Sequence, residues 1–126
     1  MKLRIRGNSL RLRLDQAEIG QLANEGRIEE STQFGAGVQN ALRYVVEIGQ
    51  RAEPLVASFA DGVVRVQIGA DTAREFLETE QVGIETTQQI EGETTLRLLI
   101  EKDYACLTVR PDEDDTNAYP NPKAVC

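Results

Sequence analysis

The sequence predicts an α+β domain of two ββαββ repeats related by a pseudo-twofold axis. Its antiparallel strands are expected to form a curled sheet or a closed barrel with two helices. Three observations lead there: an internal similarity at an offset of 54 residues, two-residue hairpin turns at matching places, and apolar patterning that alternates between strand-like and helix-like periods. The predicted boundaries are a single domain over 1–126, with repeat one at about 1–50, repeat two at about 51–103, and a C-terminal strand and tail at 104–126.

The similarity sets Leu10-Arg11-Leu12-Arg13-Leu14 over Val64-Arg65-Val66-Gln67-Ile68, and the turn Gly7-Asn8 over Asp61-Gly62. The helical pattern Ile19, Leu22, Ala23 falls on Ala73, Phe76, Leu77, and Leu42–Glu47 falls on Leu96–Glu101. Asp-Gly suits a type I′ hairpin turn and a leading glycine suits type II′. Asp15 with Glu18 three residues later has the spacing of a capping box, so residues 16–25 are read as a helix that Gly26 ends. In the second unit Asp71 or Gly69 opens a helix that finishes near Glu78-Thr79. Strands at about 27–34, 41–48, 82–89 and 95–101 complete the two units, and a final strand is expected over Tyr104–Val109.

At 126 residues the chain can bury a core without disulfide staples, and its 5% aromatic content points to a core of Leu, Ile and Val. No apolar run is long enough to span a bilayer, and the opening Met1–Arg6 lacks the continuous apolar stretch of a signal peptide. Cys106 and Cys126 make no disulfide framework, so a cytoplasmic location is expected. The net charge of −7 is uneven: residues 1–54 carry +1 and residues 55–126 carry −8. An acidic excess disfavours loose binding to nucleic acid or anionic membrane while leaving room for a local basic patch.

Such a patch follows from the first turn. A two-residue turn at Gly7-Asn8 places Lys2 opposite Arg13 and Arg4 opposite Arg11, all four on one face. Directly opposed like charges destabilise a hairpin unless something neutralises them. Three readings stand side by side. The face is solvated and countered by acids of neighbouring strands such as Glu29, Glu47 or Glu85, or it is neutralised by the acidic tail, or Lys2, Arg4, Arg11 and Arg13 form a site for a phosphate or carboxylate ligand. Nucleic acid is the least expected anion, because no aromatic residues interleave with the arginines to stack bases.

The C-terminal part runs Glu101-Lys102-Asp103-Tyr104-Ala105-Cys106-Leu107 and then Arg110-Pro111-Asp112-Glu113-Asp114-Asp115. A run of acids and prolines reads first as a solvated tail. Glu101 and Asp103 are also candidate ligands for a hard cation, although the spacing does not match a calcium loop. The chain has no histidine, which removes Ser-His and Cys-His nucleophile pairs and most zinc sites. No phosphate-binding glycine motif is present and no cofactor is expected.

The segments Met1–Leu14 and Glu101–Leu107, with Tyr119-Pro120-Asn121-Pro122-Lys123, resemble a family of small bacterial proteins known as a domain of unknown function. The resemblance spans essentially the whole chain and is concentrated in those terminal segments. It implies a bacterial cytoplasmic protein and supplies no activity, fold or catalytic residue. The favoured reading is a non-enzymatic binding module whose basic hairpin face contacts a small anionic ligand or an unidentified acidic protein partner, the chain being a monomer or a homodimer. The alternative is a barrel enzyme acting on a small phosphorylated or carboxylated substrate, with arginines gripping it and Glu101 or Asp103 as base or metal ligand.

Overall fold

The computed structural model describes residues 1–105 and 117–120. The strands are β1 (Lys2–Ile5), β2 (Ser9–Leu14), β3 (Arg27–Gln33), β4 (Ala41–Gly49), β5 (Leu55–Ala60), β6 (Val63–Gly69), β7 (Gly83–Glu91) and β8 (Thr94–Lys102). Helix α1 (Gln16–Glu25) follows β2, and helix α2 (Ala70–Glu78) follows β6.

Local chemistry explains the starts and stops. Asp15 accepts from the Glu18 N–H and Glu18 accepts from the Asp15 N–H, the capping box that the spacing predicted. Gly26 then closes α1 at φ 74°, and its N–H bonds the Leu22 carbonyl. Asp61 and Gly62 both take positive φ, as a type I′ turn requires, whereas at Gly7-Asn8 only the glycine does. The β1–β2 register agrees with the count from the turn: Lys2 faces Arg13, Leu3 faces Leu12, Arg4 faces Arg11 and Ile5 faces Leu10.

The strands make two four-stranded sheets, ordered β1-β2-β8-β7 and β3-β4-β6-β5. The expectation of one antiparallel curled sheet or closed barrel is therefore corrected. Each sheet is mixed, with a parallel pair at its centre, β2 with β8 and β4 with β6. Among the described residues no ladder joins the sheets, so they do not form a closed barrel. Parallel neighbours arise because the central strands are distant in sequence, a pairing that no hairpin turn encodes. The expected strand over Tyr104–Val109 is also corrected in part: Tyr104 and Ala105 lie outside any strand, and residues 106–109 lie outside the described residues.

The core draws on both sheets and both helices. Leu12, Leu14, Leu22, Ile28, Val46, Val66, Ile68, Phe76, Ile84, Leu98 and Ile100 are buried against one another. Core-facing residues lose their cover towards the hairpin ends. Along β6 and back up β5, Ile68 and Val66 are buried, whereas Phe59 is 68% exposed; along β2 and β1, Leu14 is buried and Ile5 is 61% exposed. The sheets thus pack tightly beside the helices and leave their hairpin ends open to solvent.

Two polar links hold the seams between the sheets. At one, the Gln88 side chain of β7 accepts from the Ala57 N–H and donates to the Ala57 carbonyl of β5, at 2.8 and 3.0 Å. At the other, the Met1 ammonium bonds Glu18 of α1 and, at 2.6 Å, Glu30 of β3. No helix among the described residues is long and apolar enough to cross a membrane.

Candidate functional site

Strand alternation sends Leu10, Leu12 and Leu14 into the core and turns Arg11 and Arg13 outward. On β8 the same rule turns Arg97, Leu99 and Glu101 outward while Leu98 and Ile100 point in. The parallel pairing sets Arg13 directly opposite Glu101 and Arg11 opposite Leu99. Glu101 therefore lies between the two guanidinium groups.

Its Oε1 accepts from Arg11 Nε at 2.8 Å and from Arg13 Nε at 2.6 Å. The arginine side chains are only 14% and 15% exposed, and Glu101 as a residue is 8% exposed. Such hydrogen bonds, ionised on both sides and shielded from water, are the strong kind. Lys2 Nζ meets Asp103 Oδ2 at 2.6 Å on the surface, and the Asp103 N–H bonds the Leu14 carbonyl. Arg4 stands opposite Arg11 on the same face and is itself engaged.

All four predicted cations thus share the outward face of β1 and β2. The predicted cation ligands, Glu101 and Asp103, come to that same face, where they accept from those basic residues. Among the described residues no group of three or more His, Cys, Asp or Glu side chains is gathered to hold a metal ion. The acids that strand alternation offers as counter-charges lie beside other cations. Glu47 instead pairs with Arg65 and Arg27, Glu29 pairs with Arg27, and Glu85 pairs with Arg97. The available signal was the shared outward parity of Arg97, Leu99 and Glu101, but it points at Arg11 and Arg13 only once β2 is known to lie beside β8.

The Met1 ammonium and Glu30 form a second charged group, at the seam. Burial disfavours the charged amine, but hydrogen bonds to Glu18 and Glu30 and their negative charges outweigh it, so its pKa is raised above the ordinary 8.0. The hydrogen bond from that ammonium chiefly lowers Glu30 from its usual 4.5, against an opposing effect of burial. A shallow cleft of about 360 Å³ opens at the opposite seam beside Arg51, Leu55, Thr87 and Gln88. Among the described residues, the side chains buried together between the sheets are apolar.

Fold and site together describe a charged strand face on a structure of two mixed sheets. The profile of a family of unknown function, DUF7009, matches residues 1–123, and the chain belongs to that family. Neither a curated protein nor a solved structure matches it. Of the segments that carry the resemblance, Met1–Leu14 holds β1 and β2, and Glu101-Lys102 ends β8 beside β2.

Proposed function

We propose that this chain is a non-catalytic binding module of the bacterial cytoplasm, and that the outward face of β1 and β2 receives the anionic group of a small ligand or an acidic protein partner. The observation that carries the reading is the convergence of Arg11 and Arg13 on a single carboxylate oxygen, beside Lys2 and Arg4, in a chain that is otherwise strongly acidic. Guanidinium groups aimed at one point match phosphate and carboxylate oxygens, so an incoming anion would compete with Glu101 for the same donors.

We also propose that the domain spans 1–126 and arose by duplication. The supporting detail is the register. An offset of 54 residues carries the pair Ser9 and Arg97 onto Val63 and Arg43, and the pair Lys2 and Arg13 onto Val56 and Gln67. Each unit then gives one hairpin to each sheet, and the second unit's hairpin has no cations at Val56 and Gln67. The same offset carries the paired Arg11 and Glu101 onto the paired Arg65 and Glu47, so only the charges at Lys2, Arg4 and Arg13 have no counterpart, their places being taken by Val56, Ser58 and Gln67.

A second reading is favoured by the depth of the Arg11–Glu101–Arg13 cluster: it clamps β2 to β8 and has no ligand. Thermal-shift titration with inorganic phosphate, nucleotides and dicarboxylates, at constant ionic strength, separates the two. A saturable ligand at a hundredfold excess over its Kd raises stability by about 2.7 kcal/mol. The binding reading expects a shift with one of these anions that a Lys2→Ala/Arg4→Ala variant loses. A flat response from the parent leaves the clamp.

A further inference from the structure

We infer that the cleft at the seam of β5 and β7 binds a small monoanionic carboxylic acid that carries an amide and a short apolar branch, as an N-acylated amino acid does. The site is separate from the outward face of β1 and β2 and does not depend on it. Its space of about 360 Å³ lies beside Arg51, Pro54, Leu55, Val56, Thr87 and Gln88. At roughly 30 Å³ for each water-sized atom, that space takes about a dozen non-hydrogen atoms.

The amide is read from the backbone of β5. The Gly69 N–H bonds the Pro54 carbonyl, and bonded and non-bonded pairs alternate along an antiparallel ladder. Pro54 and Val56 therefore turn their backbone groups to β6, whereas Leu55 and Ala57 turn theirs away from it, towards the seam. At Ala57 the Gln88 amide takes both groups, accepting from the N–H and donating to the carbonyl. Two residues earlier on the same edge, Leu55 turns an equivalent donor and acceptor to the cleft. A ligand amide would do at Leu55 what Gln88 does at Ala57.

The carboxylate is read from Arg51. Its Nε donates to Gln67 Oε1 at 2.6 Å, and the Gln67 amide in turn donates to Glu47 at 3.1 Å. That relay holds the guanidinium in place through a neutral partner, and among the described residues no carboxylate forms an ion pair with it. The edge formed by its two terminal nitrogens matches the two oxygens of a carboxylate. One guanidinium suits one negative charge, and Glu53 at the same cleft disfavours a dianion such as phosphate. Pro54 and Val56 supply an apolar wall for the branch.

The test titrates the full chain with N-acetylvaline, a molecule of that size, and follows it by NMR at constant ionic strength. The Leu55 and Thr87 amide signals and the Arg51 Nε–H signal are expected to move saturably. N-acetylvaline amide, which lacks the charge, should bind about tenfold or more weakly. N-acetyl-N-methylvaline, which lacks the donor for the Leu55 carbonyl, should bind about fivefold or more weakly. Both analogues are read on the unaltered protein, so the result does not depend on how a variant folds. Arg51→Gln should weaken N-acetylvaline about tenfold, whereas Lys2→Ala/Arg4→Ala should bind it as the parent does. Equal affinity for N-acetylvaline and its neutral amide, or no saturable movement at Leu55 and Arg51, overturns the site. Movement confined to β1 and β2 also overturns it, while leaving the anionic reading of that face standing.

Discussion

Replacing Glu101 by Gln removes one negative charge from between two guanidinium groups and changes the side chain's shape very little. Two unit charges about 4 Å apart attract by roughly 4 kcal/mol at an effective dielectric constant of about 20. Most of that is offset by the cost of taking the ions out of water. What remains on removing one partner is the cost of leaving the others uncompensated, about 3–5 kcal/mol for a fully buried pair. Arg11 and Arg13 keep 14% and 15% exposure, so some water still reaches them. A loss of about 2–3 kcal/mol is expected, and chemical denaturation with urea measures it directly from the midpoint at constant m. Arg13→Gln alone should cost a comparable amount, and the double variant less than the sum, with a coupling of about 1 kcal/mol or more. If Glu101→Gln stays within about 0.5 kcal/mol of the parent, the cluster has the small effect of an ordinary surface pair, and the account of a shielded clamp between β2 and β8 is wrong.

Other consequences follow from the same geometry. Gln88→Ala should cost about 1–2 kcal/mol and speed hydrogen exchange at the Ala57 amide, because it strands a backbone donor and acceptor at the seam. Gly69→Ala should cost about 1–3 kcal/mol in denaturation, since a Cβ there would lie 2.6 Å from the Glu53 carbonyl oxygen and 2.9 Å from that of Arg51, both backbone atoms. The seam at Met1 predicts a pH dependence with two limbs. The raised pKa of the ammonium gives stability that is present in full below 8.0 and is lost as pH rises through the folded value. The lowered pKa of Glu30 gives stability that is present above 4.5 and is lost as pH falls through its folded value. Melting curves of the parent and of Glu30→Gln should therefore differ most between those two values and converge on either side. A constant difference across the range would remove the ion pair from the explanation.

The parts of the structure legible in the sequence are those with local causes. The capping box at Asp15 and Glu18, the stop at Gly26 and the two hairpin turns each depend on a few adjacent residues, and the helix over residues 16–25 and the β1–β2 register follow from them. The four cations shared one face for the same reason. What stayed hidden was non-local. Nothing near Leu10 or Leu98 in the sequence specifies that β2 and β8 lie side by side in parallel, because that pairing is set by the packing of the whole core. The division into two mixed sheets, and the role of Glu101 as the counter-charge of Arg11 and Arg13, both depend on it. Glu29, Glu47 and Glu85 were reasonable candidates by strand alternation alone, but they lie beside other arginines. Glu101 and Asp103 are candidate oxygen ligands by residue type, and their oxygens accept from guanidinium and ammonium groups.

The central claim is that an anion can take the donors now directed at Glu101. Its most direct test is the side-chain Nε–H signals of Arg11 and Arg13, followed by NMR during titration with inorganic phosphate at constant ionic strength, with chloride as the control. The account predicts that both signals move saturably with phosphate, stay in place with chloride, and move at lower phosphate concentration in Glu101→Gln, where the competing carboxylate charge is gone. Signals that do not move in the parent or the variant, while exposed lysine signals drift with salt, would contradict it and leave the cluster as a clamp between two strands.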